Sequence, residues 1–449
     1  MLLPEAGFCY SSVLMRLSLS FGRQGLPVDL PDDWDITVLA KERMPVQEDP
    51  KACIAGALRS PMGSATIARE AAGQGTACIL VCDVTRPVPN HLVLRPVIEE
   101  LLGAGIDPRR ITVLVATGLH RPNEGQELAA VIGDPWVFEH ARVENHVARR
   151  DEDHADLGRT SHGVPVRVDR RFLDAGVRIA VGLVEPHFMA GWSGGRKLVV
   201  PGIAHAETIS AFHSGRMLGH PRAATAMLDG NPLHEAQLQA LSMMGRCLGV
   251  NVVIDENRAL SFASFGDIQE SHRAAVRFAE PYFLVPVSRP YPVVLVSSAG
   301  YPLDATYYQT VKGICCGSTI LQKGGHLFAV SECSEGVGSR EFRAAQTRLR
   351  DLGKERFRAE VGSRDRAQID EWETFMLVKA LDIGEAHLYT TGLSAEERRL
   401  TGAEPVTDLV ADLRRHVESD PERRMAVIPE GPYVAPALGR GSTPTPGEP

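Results

Sequence analysis

Five short apolar runs in this 449-residue chain lead directly into loops of reactive residue types. Residues 77–82 run into Asp83-Val84-Thr85-Arg86-Pro87, and residues 111–115 into Ala116-Thr117-Gly118-Leu119-His120-Arg121-Pro122. Residues 178–183 run into Val184-Glu185-Pro186-His187, then Gly191-Trp192-Ser193-Gly194-Gly195-Arg196-Lys197. Residues 293–297 lead to Gly300-Tyr301-Pro302-Leu303-Asp304 and Tyr308-Gln309-Thr310-Val311-Lys312, and residues 326–330 to Ser331-Glu332-Cys333. Imidazoles so placed suit acid–base work near neutral pH. Arg86 suits a carboxylate or phosphate. The glycines of 193–197 let backbone amides approach an anion. Plainer readings stand beside these. His120 and His187 also suit surface or structural roles, and Arg86 suits a solvated proline turn. Gln309 and Lys312, three apart at a helix start, also suit a solvated face. His213, in the helical pattern 207–213, is unremarkable alone. Trp372, in the helical pattern 369–377, reads as core. What favours chemistry is density, because open parallel sheets bind ligands outside their carboxyl strand ends.

The elements that position these loops read as buried parallel strands, with a helix over 90–102 whose apolar rows recur at i, i+4. Strand, helix, strand makes a βαβ unit. The predicted class is α/β: two α/β domains with mainly parallel sheets and the active site in the cleft between them. Pro281, Pro286, Pro290 and Pro292 cluster where a linker fits better than a helix or central strand. The split there gives an N-terminal domain at 1–282 and a C-terminal one at 293–434, with 435–449, rich in Pro and Gly, as a disordered tail.

Composition narrows the class. Hydrophobic residues make up 44% and the net charge is −8, so no electrostatic footprint for nucleic acid or anionic membrane is present. No apolar run reaches the roughly 18 residues of a membrane span. The N-terminus lacks the basic region of a signal peptide. Eight scattered cysteines without C-x-x-C suit a reduced, cytoplasmic setting. P-loop, G-x-G-x-x-G and H-E-x-x-H spacings are absent, so neither a standard nucleotide fingerprint nor a zinc hydrolase is supported.

Taken together, Thr85-Arg86-Pro87-Val88-Pro89, Ala116 through Pro122, Gly191 through Lys197 with Pro201-Gly202, Gly300 through Asp304 and Tyr308 through Gly313 resemble the nickel-pincer lactate racemase family. The similarity spans roughly residues 45–435. The resemblance implies a racemase or C2-epimerase of a small-molecule 2-hydroxy acid using a nickel pincer nucleotide. In that family a lysine tethers the cofactor, and nickel is held by two sulfurs, a ring carbon and one histidine. By motif position Lys197 corresponds to the tether and His213 to the nickel ligand. His120 and His187 correspond to the paired acid/base residues. Arg86, Gln309 and Lys312 fall around substrate carboxylate and cofactor, and Asp83, Thr85 and Tyr308 at cofactor contacts. Trp372 and Met189 fall at the substrate pocket, with Trp372 expected on the second domain. Maturation enzymes that supply the cofactor are implied partners. Phe212, Trp192, Met189 and Glu332-Cys333-Ser334 depart from the lactate enzyme, which bears on the substrate more than on the reaction class. Three other readings stay open: a 2-hydroxy acid oxidoreductase using the same carrier, a non-catalytic nickel-cofactor binder, and a pyridoxal phosphate enzyme with Lys197 as Schiff base.

Overall fold

The computed structural model describes residues 14–439. It divides into two compact units. The first comprises Lys41–Leu284 and Glu355–Phe375. The second comprises, of the described residues, 14–40, Val285–Lys354 and 376–439.

The first unit is built on a six-stranded sheet in the order Leu260–Asp267, Leu248–Ile254, Val177–Leu183, Ala77–Cys82, Ile111–Ala116, Arg142–Asn145. Only the first pair is antiparallel. The central strands are apolar along their length because both faces are covered. Ile79, Val81, Val113 and Ile179 are fully buried, and Val93, Val97 and Ile98 of the Asn90–Gly103 helix pack into the same core. After Ala77–Cys82 the chain adds strands on one side through Ile111–Ala116. It later returns to place Val177–Leu183 on the other side. The direction of winding therefore reverses between Ala77–Cys82 and Val177–Leu183, and at such a switch point two loops diverge and leave a crevice.

The second unit is also built on a six-stranded sheet, all parallel, in the order Glu404–Val406, Glu385–Tyr389, Leu321–Val330, Tyr291–Ser297, Arg424–Ile428, Asp35–Val38. Its core gathers Val293, Leu295, Phe328, Leu413 and Val427.

The α/β class and parallel sheets stand as expected, with three corrections to the segmentation. First, the proline cluster is not a free linker. The helix Ile268–Phe283 carries Pro281 in its last turn, where the break proline imposes coincides with the helix end. Pro286 lies in the short strand Leu284–Val287, part of a two-stranded pair where a missing N–H is tolerated. Second, neither unit is one continuous stretch. The Asp35–Val38 strand completes the second sheet, and residues 355–375 return to the first unit. Third, the expected disordered tail begins too early. Ala435–Leu438 pairs with Leu284–Val287, and Ala435 is buried. Proline there does not prevent pairing at an edge. Residues 440–449 lie outside the described residues, as does Cys9.

Candidate active site

The carboxyl end of Ala77–Cys82 delivers Asp83, buried, and the end of Ile111–Ala116 delivers the exposed His120. The adjacent parallel strands bring the two together. His120 Nδ1 lies 2.6 Å from Asp83 Oδ2, while Asp83 Oδ1 accepts from the Thr85 hydroxyl at 2.5 Å and its amide at 3.2 Å. Burial alone would raise the Asp83 carboxyl, but the hydrogen bonds from His120 and Thr85 outweigh it and its pKa is lowered. An ionised Asp83 makes Nδ1 of His120 the protonated nitrogen. Nε2 then carries the lone pair on an exposed ring, the tautomer being assigned from the hydrogen-bond partner. Asp83 and Thr85 thus orient His120.

Across the switch point Arg86 forms an ion pair with Glu185, which follows the Val177–Leu183 strand. The pair ties the two diverging loops. His187 is set differently. Its Nδ1 accepts the amides of Met189 and Ala190, each at 3.2 Å. Those two donors leave Nε2 as the protonated nitrogen, the opposite tautomer to His120. Met189 is buried, and its carbonyl accepts from the Asn231 side chain at 2.9 Å, so the turn holding His187 is anchored below.

The Ser193–Lys197 loop folds back over its own strand. Gly194 has φ +75°, and a Cβ there would come within 2.7 Å of Val184 Cγ2 and 3.0 Å of the Leu183 carbonyl. Only glycine fits that approach. Asn251, in the middle of the neighbouring apolar strand, accepts from the Gly195 amide at 2.9 Å. Arg196 points inward, fully buried. It donates to the carbonyls of Ala190 and Trp192 at 3.0 Å and lies 2.8 Å from His272 Nε2. Burial lowers its pKa. The next residue, Lys197, is only partly buried.

Lys197 lies close enough to His213 for its charge to be felt there. His213 caps the Ala206–Phe212 helix, and its Nδ1 bonds the Ile209 carbonyl at 2.9 Å. Burial pushes its pKa down to about 4 against the opposing hydrogen bond to the Ile209 carbonyl, with a lesser lowering by the Lys197 charge. The ring is therefore neutral, with Nε2 unprotonated. Trp372 packs on it with centroids 4.8 Å apart. This contact is made within the first unit, by the 355–375 excursion, which is fastened by Ala367 and Ser210 and by an Arg366–Glu207 ion pair. Trp372 was expected on the second domain, so the structure corrects its assignment: the chain returns before the Glu371–Leu381 helix begins.

Tyr308, Gln309 and Lys312 occupy the first two turns of the Tyr307–Ser318 helix in the second unit, capped by Thr306. Gln309 Oε1 is buried without a hydrogen-bond partner, and Lys312 is partly buried. The structure thus gathers Asp83, Thr85 and His120, joins Arg86 to the His187 loop through Glu185, and groups Lys197, His213 and Trp372. Glu185, Arg196, His272 and Asn251 were not singled out from the sequence. Asn251 had a signal, a lone amide inside Leu248-Gly249-Val250-Asn251-Val252-Val253-Ile254. Glu185 adjoins the noted His187 but has no distinguishing spacing.

The chain is similar over most of its length to proteins of one family. Residues 21–226 match the family model of the lactate racemase N-terminal domain, and residues 288–435 that of the C-terminal domain. Lactate racemase of Thermoanaerobacterium thermosaccharolyticum is 28% identical over 425 residues, covering 94% of this chain and 99% of the relative. Lactate racemase of Lactiplantibacillus plantarum is 32% identical over 285 residues, 64% of this chain and 66% of the relative. The solved lactate racemase apoprotein from T. thermosaccharolyticum superposes with TM-score 0.86 at 27% identity, covering 95% of this chain and all of that one. A Thermotoga maritima protein shares the fold at TM-score 0.62 and 17% identity, over 89% of this chain and 99% of that one. The protein is accordingly an isomerase of the racemase class, on a two-unit α/β fold. Within that class, the chain belongs to the lactate racemase family.

Proposed function

We propose that the protein racemises or C2-epimerises a 2-hydroxy carboxylic acid with a nickel pincer nucleotide tethered to Lys197 and its nickel held by His213. The relatives named lactate racemase, and the solution of one as an apoprotein, support the substrate class and the need for a bound group. The donor set fits the group. His213 is neutral, its Nδ1 is committed to Ile209, and Nε2 is left for a metal. Lys197 is partly buried beside it. When bound, the cofactor supplies a hydride acceptor for the substrate C2 hydrogen.

The chain's own task is the hydroxyl proton and the carboxylate. His120 Nε2 takes the hydroxyl proton, and the resulting imidazolium is stabilised by Asp83. His187 presents an Nε2–H to the substrate oxygen from the other loop. To act there as a base it must release the Met189 and Ala190 amides and carry its proton on Nδ1 instead. Arg86, held by Glu185, is assigned to the substrate carboxylate together with Gln309 and Lys312. Tyr308 is assigned to the cofactor, and Met189 and Trp372 to the pocket wall. The seven free cysteines among the described residues suit a reducing compartment, and we place the protein in the cytoplasm. No described helix is long and apolar enough to cross a membrane.

The observation that carries this reading is the Asp83–His120 pair beside the switch point of the first sheet. The test is intact-mass and metal analysis of protein made with cofactor maturation enzymes, followed by a screen of 2-hydroxy acid enantiomers. A nucleotide-sized adduct on Lys197 with stoichiometric nickel, and interconversion of one enantiomer pair without net 2-oxo acid, is expected. An unmodified Lys197 in active protein refutes the tether. Net 2-oxo acid assigns the oxidoreductase reading instead.

A further inference from the structure

Three histidines that play no part in that reading converge in the second unit. His326 lies on Leu321–Val330, His387 on the neighbouring strand Glu385–Tyr389, and His416 in the last turn of the Leu409–Val417 helix. The parallel register sets His326 opposite Glu385 and Phe328 opposite His387. His387 stacks flat on Phe328, with centroids 4.4 Å apart at 10°, which fixes its plane. His326 and His416 rings lie 3.9 Å apart. One nitrogen from each of the three falls within 4.8 Å of the others. His326 Nδ1 and His387 Nε2 are 3.2 Å apart, and the Glu385 carboxylate lies 3.5 Å from the same His326 nitrogen.

We infer that His326, His387 and His416, with Glu385 as a fourth donor, form a binding site for a divalent transition-metal ion of the zinc type. Tetrahedral zinc with bonds of about 2.0–2.1 Å places its donor atoms about 3.3–3.4 Å apart. The His326–His387 and His326–Glu385 separations already fit that edge, and His416 closes the set by a ring movement at the helix end. Imidazole donors with one carboxylate suit zinc, nickel or cobalt, whereas magnesium and calcium favour all-oxygen shells. The His326–His387 hydrogen bond joins two of the rings, whereas a cation would engage one nitrogen of all three.

The site lies at the amino end of Glu385–Tyr389, away from the carboxyl strand ends where this sheet carries its polar loops. Its role is therefore structural: the ion clamps two strands to the helix that covers them and raises stability by mass action. Asp412 is engaged by Arg415 at 3.0 Å, so Glu385 is the carboxylate assigned to the ion.

The test uses untagged full-length protein made without maturation enzymes and stripped with chelator, so that no cofactor nickel is present. Calorimetric titration with ZnCl2, NiCl2 and MgCl2 is expected to give one site for zinc and nickel and none for magnesium. Cobalt is expected to produce the intense visible absorption of a tetrahedral site. His416→Gln, at the helix end, weakens zinc at least about tenfold and abolishes the cobalt spectrum, while its metal-free melting curve stays as in the wild type. Should that variant fold poorly, Glu385→Gln, on an exposed side chain, is read in its place. His213→Ala retains the zinc site. Absence of zinc binding, or zinc binding that survives His416→Gln and Glu385→Gln but is lost in His213→Ala, overturns the proposal without touching the racemase reading, which rests on the Lys197 adduct.

Discussion

The two sheets are built alike and finished differently. Each has six strands, and each reverses its winding direction beside a central strand. At the carboxyl ends of the first sheet, titratable groups are oriented by fixed partners. His120 is held by Asp83 and exposes Nε2, and His187 is held by two amides. At the carboxyl ends of the second sheet, polar groups tie the loops to one another. Asp304, fully buried, accepts the amides of Gly22 at 2.6 Å and Glu332 at 3.1 Å. The Ser297 hydroxyl bonds the Pro429 carbonyl at 2.6 Å, and Ser331 lies 2.7 Å from Thr310. Polar density at a strand end therefore does not by itself mark chemistry. What differs is exposure: the His120 ring fixed by Asp83 stands open to solvent, whereas Asp304 is fully buried.

The contrast can be broken by exchanging the damage. The largest effect is expected for His120→Ala, with racemisation falling roughly 10²- to 10⁴-fold while the fold persists. Chiral chromatography of a 2-hydroxy acid enantiomer reads it, and an undiminished rate would remove the first sheet's claim to the chemistry. Asp304→Ala should do the reverse, leaving two buried amides unpaired. A loss of about 2–4 kcal/mol in urea unfolding is expected, with activity per folded molecule within a few-fold of wild type. Asp83→Asn should sharpen the comparison. It keeps the shape but loses the charge that orients His120, so a fall of about 10- to 100-fold in rate at unchanged stability separates orientation from bulk.

The smallest expected effect concerns pH. Behind the first sheet's glycine loop His234 is buried, and burial, helped by the nearby Arg196 and Arg273, pushes its pKa down to about 3. In the unfolded chain it titrates near 6.5. The unfolded state thus binds more protons below that pH, and stability is lost as pH falls from about 6.5 toward 3. At pH 5 the loss is on the order of 1–2 kcal/mol. Urea midpoints at pH 7.5 and 5 measure it, and His234→Gln should flatten the difference. An unaltered slope in that variant would show that other groups carry the acid sensitivity.

Much of the first sheet was legible because its strands are continuous apolar runs bounded by polar turns, so Ala77–Cys82 and the Asn90–Gly103 helix stand nearly where periodicity puts them. Which strand-end loops present an oriented, exposed ring was not legible. Asp304 and Asp83 both follow apolar strands, and only three-dimensional partners tell a tie from an orienting carboxylate. Trp372 was correctly read as buried in a helix but placed on the wrong unit. Local pattern fixes a helix, whereas its unit depends on where a long excursion docks. The same limit hid the Asp35–Val38 strand, whose four residues pair with a strand far along the chain.

That last pairing has a consequence for how the protein is made. During synthesis the Asp35–Val38 segment emerges long before Arg424–Ile428 and must wait for it before it has a partner in the sheet. Meanwhile the contiguous strands between Ala77 and Asp267 are free to assemble. A gene fragment cut near residue 288 would be born with one flank of its sheet bare, an invitation to self-association. Expressing the second unit alone would therefore require grafting the early strand back onto it.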